Sequence, residues 1–475
     1  MASSVLTLEQ LPDDVLVLAM QFVSVEDVLS WRLVCKRLCD LALHRDVWRH
    51  RSLRDDEPCA DAVLHLAPCL DKLKVTGPDP SLAVTTTRCA VACLDLRKAG
   101  YGPFNAAEYA LAVRNQEHLG RLRRLVLGVE MNPLEEPTAD VLFWTVASCS
   151  GLDRLEVLYA PPIINQPVVH GPPSSSLKVF KCVACIETVS LVNTVLAGHA
   201  ATLEEVEIYT DLDLWETTTA DLLAAMPRLR SLRCDCSIGG LEKVAECKTL
   251  RDLDICLNGC TGDVDNAAKL LRRANQLRHV LLDNAAWDDP IVESWPVLAE
   301  ALAWSGRFPL ERLALKGFEE VELLGPLIRA LPSLPALRFL YLDTEPVDEL
   351  LKSISPAMAP ALRLLRFPIR REKCPHAWIH RTALKTTLLA NPLLHIQLWG
   401  NIFHSRSQDC AMCVGDCDRH QGVEWHNTRY MGFYSHDPDT CPCPEDHSDH
   451  TDWKGSSSRA NNFTCTWIHM KCNCT

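Results

Sequence analysis

The chain has 475 residues, a net charge of −13 and a hydrophobic content of 47%. That much apolar sequence excludes wholesale disorder, and a uniformly acidic protein is a poor ligand for a phosphate backbone, so we expect no nucleic acid partner. A local basic patch is still compatible with this net charge. No run of 18 apolar residues occurs, and the first 25 residues hold no Lys or Arg. We therefore expect no secretory signal, no membrane partner, and a cytoplasmic or nuclear location.

Cysteine is abundant, with 23 residues. Without a secretory signal, these thiols are best interpreted as reduced and mostly buried, where they act as small apolar groups. The competing hypothesis is an extracellular, disulfide-bonded repeat protein. The triplet Asn462-Phe463-Thr464 would fit that hypothesis as a glycosylation site.

Residues 8–53 predict a module of three short helices. The run Leu11-Pro12-Asp13-Asp14 indicates a helix start, since proline suits the first turn and acidic residues complement the helix dipole. Ser24 precedes Asp27 by three residues, the spacing of a capping box with Asp in the acidic role. Apolar residues at intervals of three and four predict a second amphipathic helix: Val28, Trp31, Val34, Leu38 and Leu41. So small a module cannot bury all of this surface, so we expect a partner.

The same segment resembles an F-box. The likeness is carried by four groups of residues in order: Leu11-Pro12, Asp27-Val28-Leu29, Val34-Cys35-Lys36-Arg37 followed by Leu41, and Trp48. The resemblance implies that the module docks onto the Skp-type adaptor of a cullin–RING ubiquitin ligase. It also implies an adaptor interface formed, by contact or by positioning, by Leu11, Pro12, Val15, Leu16, Val34, Cys35 and Leu38.

The segment departs from the F-box pattern at two points. Leu38 stands where many members carry Trp, and Val23-Ser24 stands where many carry Leu-Pro. The Trp and Leu positions both stay apolar, which preserves the expected docking chemistry. The alternative is a plain three-helix cap that shields the end of a repeat array.

Residues 54–121 are predicted to be a linker with degenerate first repeats, and residues 122–400 carry a repeated phrase. The phrase has apolar residues at its first, fourth and sixth positions, and its eleven copies start at intervals of 21 to 33 residues. The fourth and sixth positions lie on one face of a strand, which only stacking on neighbouring strands can bury. The leading residues are Leu122, Leu152, Leu177, Leu203, Leu229, Leu250, Leu277, Leu310, Leu337, Leu362 and Leu393.

The stretches between the phrases predict helices. In residues 217–232 and 294–306, apolar residues recur at helical spacing. The pattern resembles helix-backed leucine-rich repeats of an irregular kind, which implies an α/β fold: a parallel-strand horseshoe with helices on its convex side. An ordinary α/β domain with charged strand ends is the alternative.

A repeat array suits the binding of another protein on its strand face. We predict that variable positions in the phrases contact the target, and we name Arg123, Glu205, Arg233 and Asp254. The same residues are equally well explained as solvated charges. No nucleotide-binding or hydrolase motif occurs, so we expect a non-catalytic protein.

Residues 401–475 form a tail with a different composition. Leucine is absent there, while eight cysteines and seven histidines are present. Thiolates and imidazoles are zinc's preferred ligands, so the tail predicts a structural zinc held by Cys410, Cys413, Cys417 and His420. The alternatives are a disordered tail and free thiols without metal.

An F-box ahead of leucine-rich repeats is the arrangement of ubiquitin-ligase substrate receptors. The resemblance therefore implies that the module holds the ligase while the repeats hold an unknown protein target, which raises the local concentration of a target lysine. Two other hypotheses stay open. One is a ligase-independent scaffold that uses the same strand face, and the other is a metalloenzyme with a zinc site in the tail.

Overall fold

A computed structural model gives the structure, and it describes residues 10–77, 80–97, 105–128, 139–158, 175–184, 188–210, 217–257, 261–284, 294–304, 309–318, 320–369, 376–399, 430–436 and 465–470. The chain forms two compact units that divide between Leu229 and Arg230, called the first unit and the second unit below. No helix in the described ranges is long and apolar enough to cross a bilayer.

The first unit begins with a helical module. It consists of α1 (Asp13–Phe22), α2 (Val25–Trp31), α3 (Lys36–Ala42) and α4 (Arg45–Trp48). Pro12 is the N-cap of α1, and the Ser24 hydroxyl caps α2 by accepting from the Asp27 N–H at 3.1 Å. These two helix starts were predicted from the sequence. The prediction of one continuous second helix through Val28 and Leu41 was wrong. The chain leaves helical geometry after α2, and a new helix, α3, begins with Cys35 as its N-cap.

The repeats of the first unit alternate strands with helices. Seven described strands pair in chain order, and each pair with its neighbour is parallel. The strands are β1 (Ser52–Arg54), β2 (Cys69–Val75), β3 (Ala90–Arg97), β4 (Arg124–Gly128), β5 (Arg154–Leu158), β6 (Val179–Ala184) and β7 (Glu205–Thr210). The helices are α5 (Ala60–Leu66), α6 (Leu82–Thr86), α7 (Ala106–His118), α8 (Ala139–Ala147), α9 (Val189–His199) and α10 (Thr217–Ala224).

The second unit continues the same alternation. Seven of its described strands pair in chain order, each parallel to its neighbour. They are β8 (Ser231–Asp235), β9 (Asp252–Cys256), β10 (His279–Asp283), β11 (Arg312–Lys316), β12 (Phe339–Leu342), β13 (Leu364–Pro368) and β14 (His395–Trp399). Its helices are α11 (Thr261–Arg273), α12 (Ser294–Trp304), α13 (Glu320–Ala330), α14 (Asp348–Ser353), α15 (His376–Ile379) and α16 (Thr382–Ala390), with 3₁₀ turns at Leu241–Glu246 and Leu331–Ser333.

Two further strands lie in the tail and belong to the second unit. They are β15 (Tyr430–Tyr434), antiparallel to β14, and β16 (Cys465–His469), parallel to β15. Part of the predicted tail is therefore sheet. The segment predicted as linker and degenerate repeats is likewise regular, since β2 and β3 pair along most of their length.

The register explains the repeated phrase. Leu125, Leu155, Phe180 and Val206 occupy matching positions on β4 to β7, and all four are buried. Ten of the eleven leading leucines are buried as well. The exception is Leu393, which is 42% exposed, because Leu394 takes the buried place ahead of β14. The parallel α/β fold predicted from the sequence is confirmed.

No disulfide joins the twelve cysteines whose side chains the structure describes, and most of these twelve are buried. Burial raises the pKa of the Cys256 thiol to about 12, with the carboxylates of Asp235, Asp283 and Asp254 adding to the effect. Such thiols stay protonated and behave as apolar packing groups.

Candidate protein-binding surfaces

The helical module exposes large apolar side chains. Val15, Leu18 and Phe22 follow helical spacing along α1 and are exposed, Phe22 by 81%. Leu33 and Val34, between α2 and α3, are 79% and 68% exposed. We call these five residues the exposed apolar set. Side chains of this size stay in water at a cost, which a protein partner would relieve.

The module keeps this set outside because its core is already filled. Leu16, Met20, Val28 and Trp48 are almost fully buried. The Trp48 indole N–H donates to the Ala42 carbonyl at 2.6 Å, so its polar edge is satisfied inside the core. The exposed apolar set is therefore surplus to what the module needs for its own packing.

Arg37 holds the start of α1 against α3. Its guanidinium donates to the Leu11 carbonyl at 2.6 Å and pairs with the Asp13 carboxylate through Nε at 2.8 Å. The Cys35 sulfur accepts from the Leu38 N–H at 3.5 Å and so starts α3. These bonds fix the geometry of the Leu11-Pro12 turn relative to Val34 and Cys35.

The structure divides the predicted adaptor residues into two groups. Pro12, Val15, Val34 and Cys35 are exposed and available for contact, and Leu11 is half-buried. Leu16 and Leu38 are buried, so they can act only by positioning the helices. Their role in an adaptor interface stays a prediction. Leu18, Phe22 and Leu33 were not predicted as contact residues, because an apolar stripe alone does not distinguish buried from exposed positions.

Arg51 joins the module to the first strand. Its guanidinium donates to the carbonyls of Met20 and Val23, the latter at 2.9 Å, and lies 5.6 Å from the centre of the Trp48 ring. Burial lowers the pKa of Arg51 from its ordinary value. The last turn of α1 is thus tied to the residue just ahead of β1.

Along the strands of the first unit, the side chains that alternate with the buried ones form ion pairs. We call this side of the strands the ion-pair face. It includes Arg154 with Glu156, whose Nε and Oε1 atoms lie 2.5 Å apart, and Lys181 with Glu207 on the next two strands. At its centre Asp95 has a fully buried side chain. Lys72 and Arg97 hold that carboxylate from either side, each at 2.7 Å.

The charge of Asp95 survives burial because of these cations. Burial acts to raise the pKa of Asp95, but hydrogen bonds from Arg97 and Lys72 outweigh it, so the pKa lies below its ordinary value. Most charges on the ion-pair face thus already have a partner within the chain. A target that used them would have to break existing pairs.

The outward side of the second unit changes character along its length. On β8 to β11 it carries ion pairs, such as Lys316 with Asp283 at 3.9 Å. On β12 to β16 the same side presents Tyr341, Trp399, Tyr430 and Trp467, which we call the aromatic face.

The aromatic face is ordered by stacking. The Tyr341 and Trp399 rings stack with their centres 6.2 Å apart and an interplanar angle of 25°. The Arg366 guanidinium lies over Tyr430, 4.6 Å from its centre. Gly432 leaves room for the Trp467 ring, since a Cβ at this position would clash with the Trp467 Cε3 atom.

Two donors on the aromatic face lack acceptors in the described part of the chain. They are the buried Nε1 atom of Trp399 and the buried Nε atom of Arg366. A buried donor without an acceptor costs free energy.

The predicted target residues occupy different surroundings. Arg123 precedes β4, where its Nη1 atom donates to the Leu122 and Gly151 carbonyls at 3.1 and 3.0 Å. Glu205 begins β7 and is exposed. Arg233 and Asp254 face each other on β8 and β9 and form a salt bridge at 2.7 Å. Arg233 and Asp254 thus contact each other. The role of all four residues in target binding stays a prediction.

The predicted zinc ligands Cys410, Cys413, Cys417 and His420 lie outside the described residues. Within the described ranges, no group of three or more His, Cys, Asp or Glu side chains could hold a metal ion. The zinc prediction therefore continues to depend on the sequence alone.

Comparison with known proteins supports the reading of the module. Residues 8–54 match the F-box-like family. The chain is similar to the leucine-rich repeat-containing protein LegL7 from Legionella pneumophila, with 14% identity and a TM-score of 0.32 over 47% of this chain and 74% of that protein. No curated protein matches the sequence. The chain thus combines a segment that matches the F-box-like family with repeated units in which parallel strands pair in chain order.

Proposed function

We propose that this protein is the substrate receptor of a cullin–RING ubiquitin ligase. In this role the helical module docks the Skp-type adaptor, and the repeats hold a protein target. The observation that carries the proposal is the exposed apolar set on a module matching the F-box-like family. The receptor performs no bond chemistry itself and acts by proximity.

The adaptor interface can be tested with one charged substitution. Val34→Glu places a carboxylate on an exposed apolar position without disturbing the core. We expect purified Skp-type adaptor to bind the wild-type chain and to be lost from the variant, because an unpaired buried charge opposes docking. The double change Leu11→Ala, Pro12→Ala should weaken the complex in the same direction.

A matched control comes from the first repeats. Leu82, on α6, is 77% exposed and lies outside the module, so Leu82→Glu makes a comparable change elsewhere in the first unit. Adaptor binding should survive this substitution. If the wild type does not bind adaptor at all, the ligase role is wrong and the ligase-independent scaffold takes its place.

For the target, we propose that the aromatic face makes the principal contacts. Tyr, Trp and Arg carry most binding energy at protein interfaces, and the ion-pair face has already used its charges internally. The expectation that Arg123, Glu205, Arg233 and Asp254 reach the target is kept as a secondary part of the proposal.

We also propose that zinc binds in the tail through Cys410, Cys413, Cys417 and His420, on the chemistry of these donors. Metal analysis of the full chain, purified without chelators, should find tightly held zinc. Changing Cys410 and Cys413 to Ser should remove about one equivalent. A wild-type chain without zinc would contradict the proposal.

A further inference from the structure

A cavity of about 530 Å³ lies in the first unit, between the helical module and the first repeats. Its walls include the first residues of β2 and β3, the turn before β4, and Arg45 of α4. The volume falls in the range of small-molecule sites. Neither the exposed apolar set nor the aromatic face contributes to it.

The cavity is basic. Arg45, Arg121 and Arg123 line it, and none of the described residues that line it is a carboxylate. Two acidic side chains of the same elements are engaged elsewhere. Asp46 pairs with Arg49 at 3.2 Å, and Asp71 pairs with Arg124 at 3.3 Å. The positive charge of the cavity is therefore not compensated from within its own walls.

Arg121 has unused donor capacity at this site. Its Nη2 atom donates to the Arg49 carbonyl at 3.1 Å, which holds the guanidinium beside the module. Its Nη1 atom is buried and has no acceptor among the described residues. The guanidinium thus holds a positive charge at the cavity wall that no carboxylate of the described wall residues neutralises.

The remaining wall is apolar. Pro68, Ala90 and Leu119 contribute carbon surface beside the arginines. The Cys69 thiol, also in the wall, donates to the Arg45 carbonyl at 3.7 Å and keeps α4 close to the start of β2. The cavity thus combines a cationic side with a carbon-lined side, which suits a ligand that has a charged and an uncharged part.

We propose that this cavity binds a small phosphorylated molecule. The phosphate contacts Arg45, Arg121 and Arg123, whose planar guanidinium groups match phosphate oxygens, and the rest of the ligand packs against Pro68 and Leu119. Because Arg45 belongs to α4 and the other two precede β4, the ligand bridges the module and the repeats. The inference does not depend on the ligase role.

The test is a calorimetric titration of the full chain with inorganic pyrophosphate. We expect saturable binding that weakens as salt rises, and a loss of about tenfold in affinity for Arg45→Gln and for Arg123→Gln. The matched control is Arg114→Gln, an exposed arginine on α7 outside the cavity, which should leave affinity unchanged. Arg45 and Arg123 are exposed, so both variants are expected to fold.

A second readout uses the bridging geometry. Pyrophosphate should raise the unfolding temperature of the wild type and of Arg114→Gln by similar amounts, and that of Arg45→Gln by a clearly smaller amount. Three outcomes overturn the proposal: no binding by the wild type at millimolar pyrophosphate, equal losses in Arg114→Gln and the cavity variants, or binding of a phosphoserine peptide with no binding of pyrophosphate. The last outcome would assign the cavity to a protein ligand.

Discussion

The ion-pair face of the first unit and the aromatic face of the second are built on the same alternation of buried and outward side chains, but they present different chemistry. In the first unit, Lys72, Asp95 and Arg97 neutralise one another, and Lys181 pairs with Glu207. In the second unit, Tyr341 and Trp399 stack in the corresponding outward positions. One kind of repeat can therefore use its outward side chains for pairing within the chain or leave them available for a partner.

The largest expected effect concerns the centre of the ion-pair face. Asp95→Ala leaves Lys72 and Arg97 without their buried carboxylate, and we expect the first unit to lose about 2 to 3 kcal/mol of stability, since both cations are partly exposed. Hydrogen exchange read peptide by peptide should show faster opening of β2 to β4. Asp56→Ala, which removes an exposed partner of Arg54, is the control and should change little.

The same carboxylate gives the first unit a pH dependence. The pKa of Asp95 is lowered in the folded state, so its contribution to stability is present above the ordinary pKa of an aspartate. That contribution is lost as pH falls through the lower, folded-state pKa. Wild type should lose protection of β2 to β4 in acid more steeply than Asp95→Ala does. Parallel acid profiles would contradict this account.

The aromatic face should dominate target binding. We expect Trp399→Ala to weaken target capture about thirtyfold, or about 2 kcal/mol, because a central Trp at an interface commonly carries that much. Lys181→Ala, on the ion-pair face, should leave capture nearly unchanged. Quantitative affinity capture with the two variants side by side makes the measurement. Equal losses would show that the two faces are not functionally distinct.

The position of Trp467 offers a finer test of the aromatic face. Gly432→Ala places a methyl group where the Trp467 ring now lies, so the ring must move. We expect a loss of about 1 to 2 kcal/mol of stability from this overpacking. The altered indole environment should be visible as a change in tryptophan fluorescence. In the Trp467→Ala background, Gly432→Ala should cost much less stability than in the wild type, because the clashing ring is gone.

The repeats could be predicted from the sequence because their signal is local. An apolar residue at the fourth and sixth positions faces the core on every strand, as Leu125 and Leu127 do on β4. The failure at Leu393 has a physical reason as well. Two adjacent leucines compete for one buried place, and the pattern cannot say which of them the approach to β14 turns inward.

The surfaces were harder to predict than the core. The break between α2 and α3 exposes Leu33 and Val34, whereas the apolar spacing of that stretch indicates a continuous helix. In the tail, β15 depends on antiparallel pairing with β14, a contact that no short motif encodes. The aromatic face combines residues far apart in sequence, so only the strand register brings Tyr341 and Trp399 together.

The smallest expected effect lies in the pairing of Lys181 with Glu207 across β6 and β7. Both side chains are partly exposed, so solvent screens their attraction, and we expect a coupling free energy of about 0.5 kcal/mol. A double-mutant cycle with Lys181→Ala and Glu207→Ala, measured at low and high salt, isolates this value, which should shrink as salt rises. A coupling near zero at low salt would mean that the ion-pair face holds spare charges that a target could use, and the contrast with the aromatic face would then disappear. A salt-sensitive coupling would mean that these two charges are already committed to each other, as Lys72 and Arg97 are to Asp95.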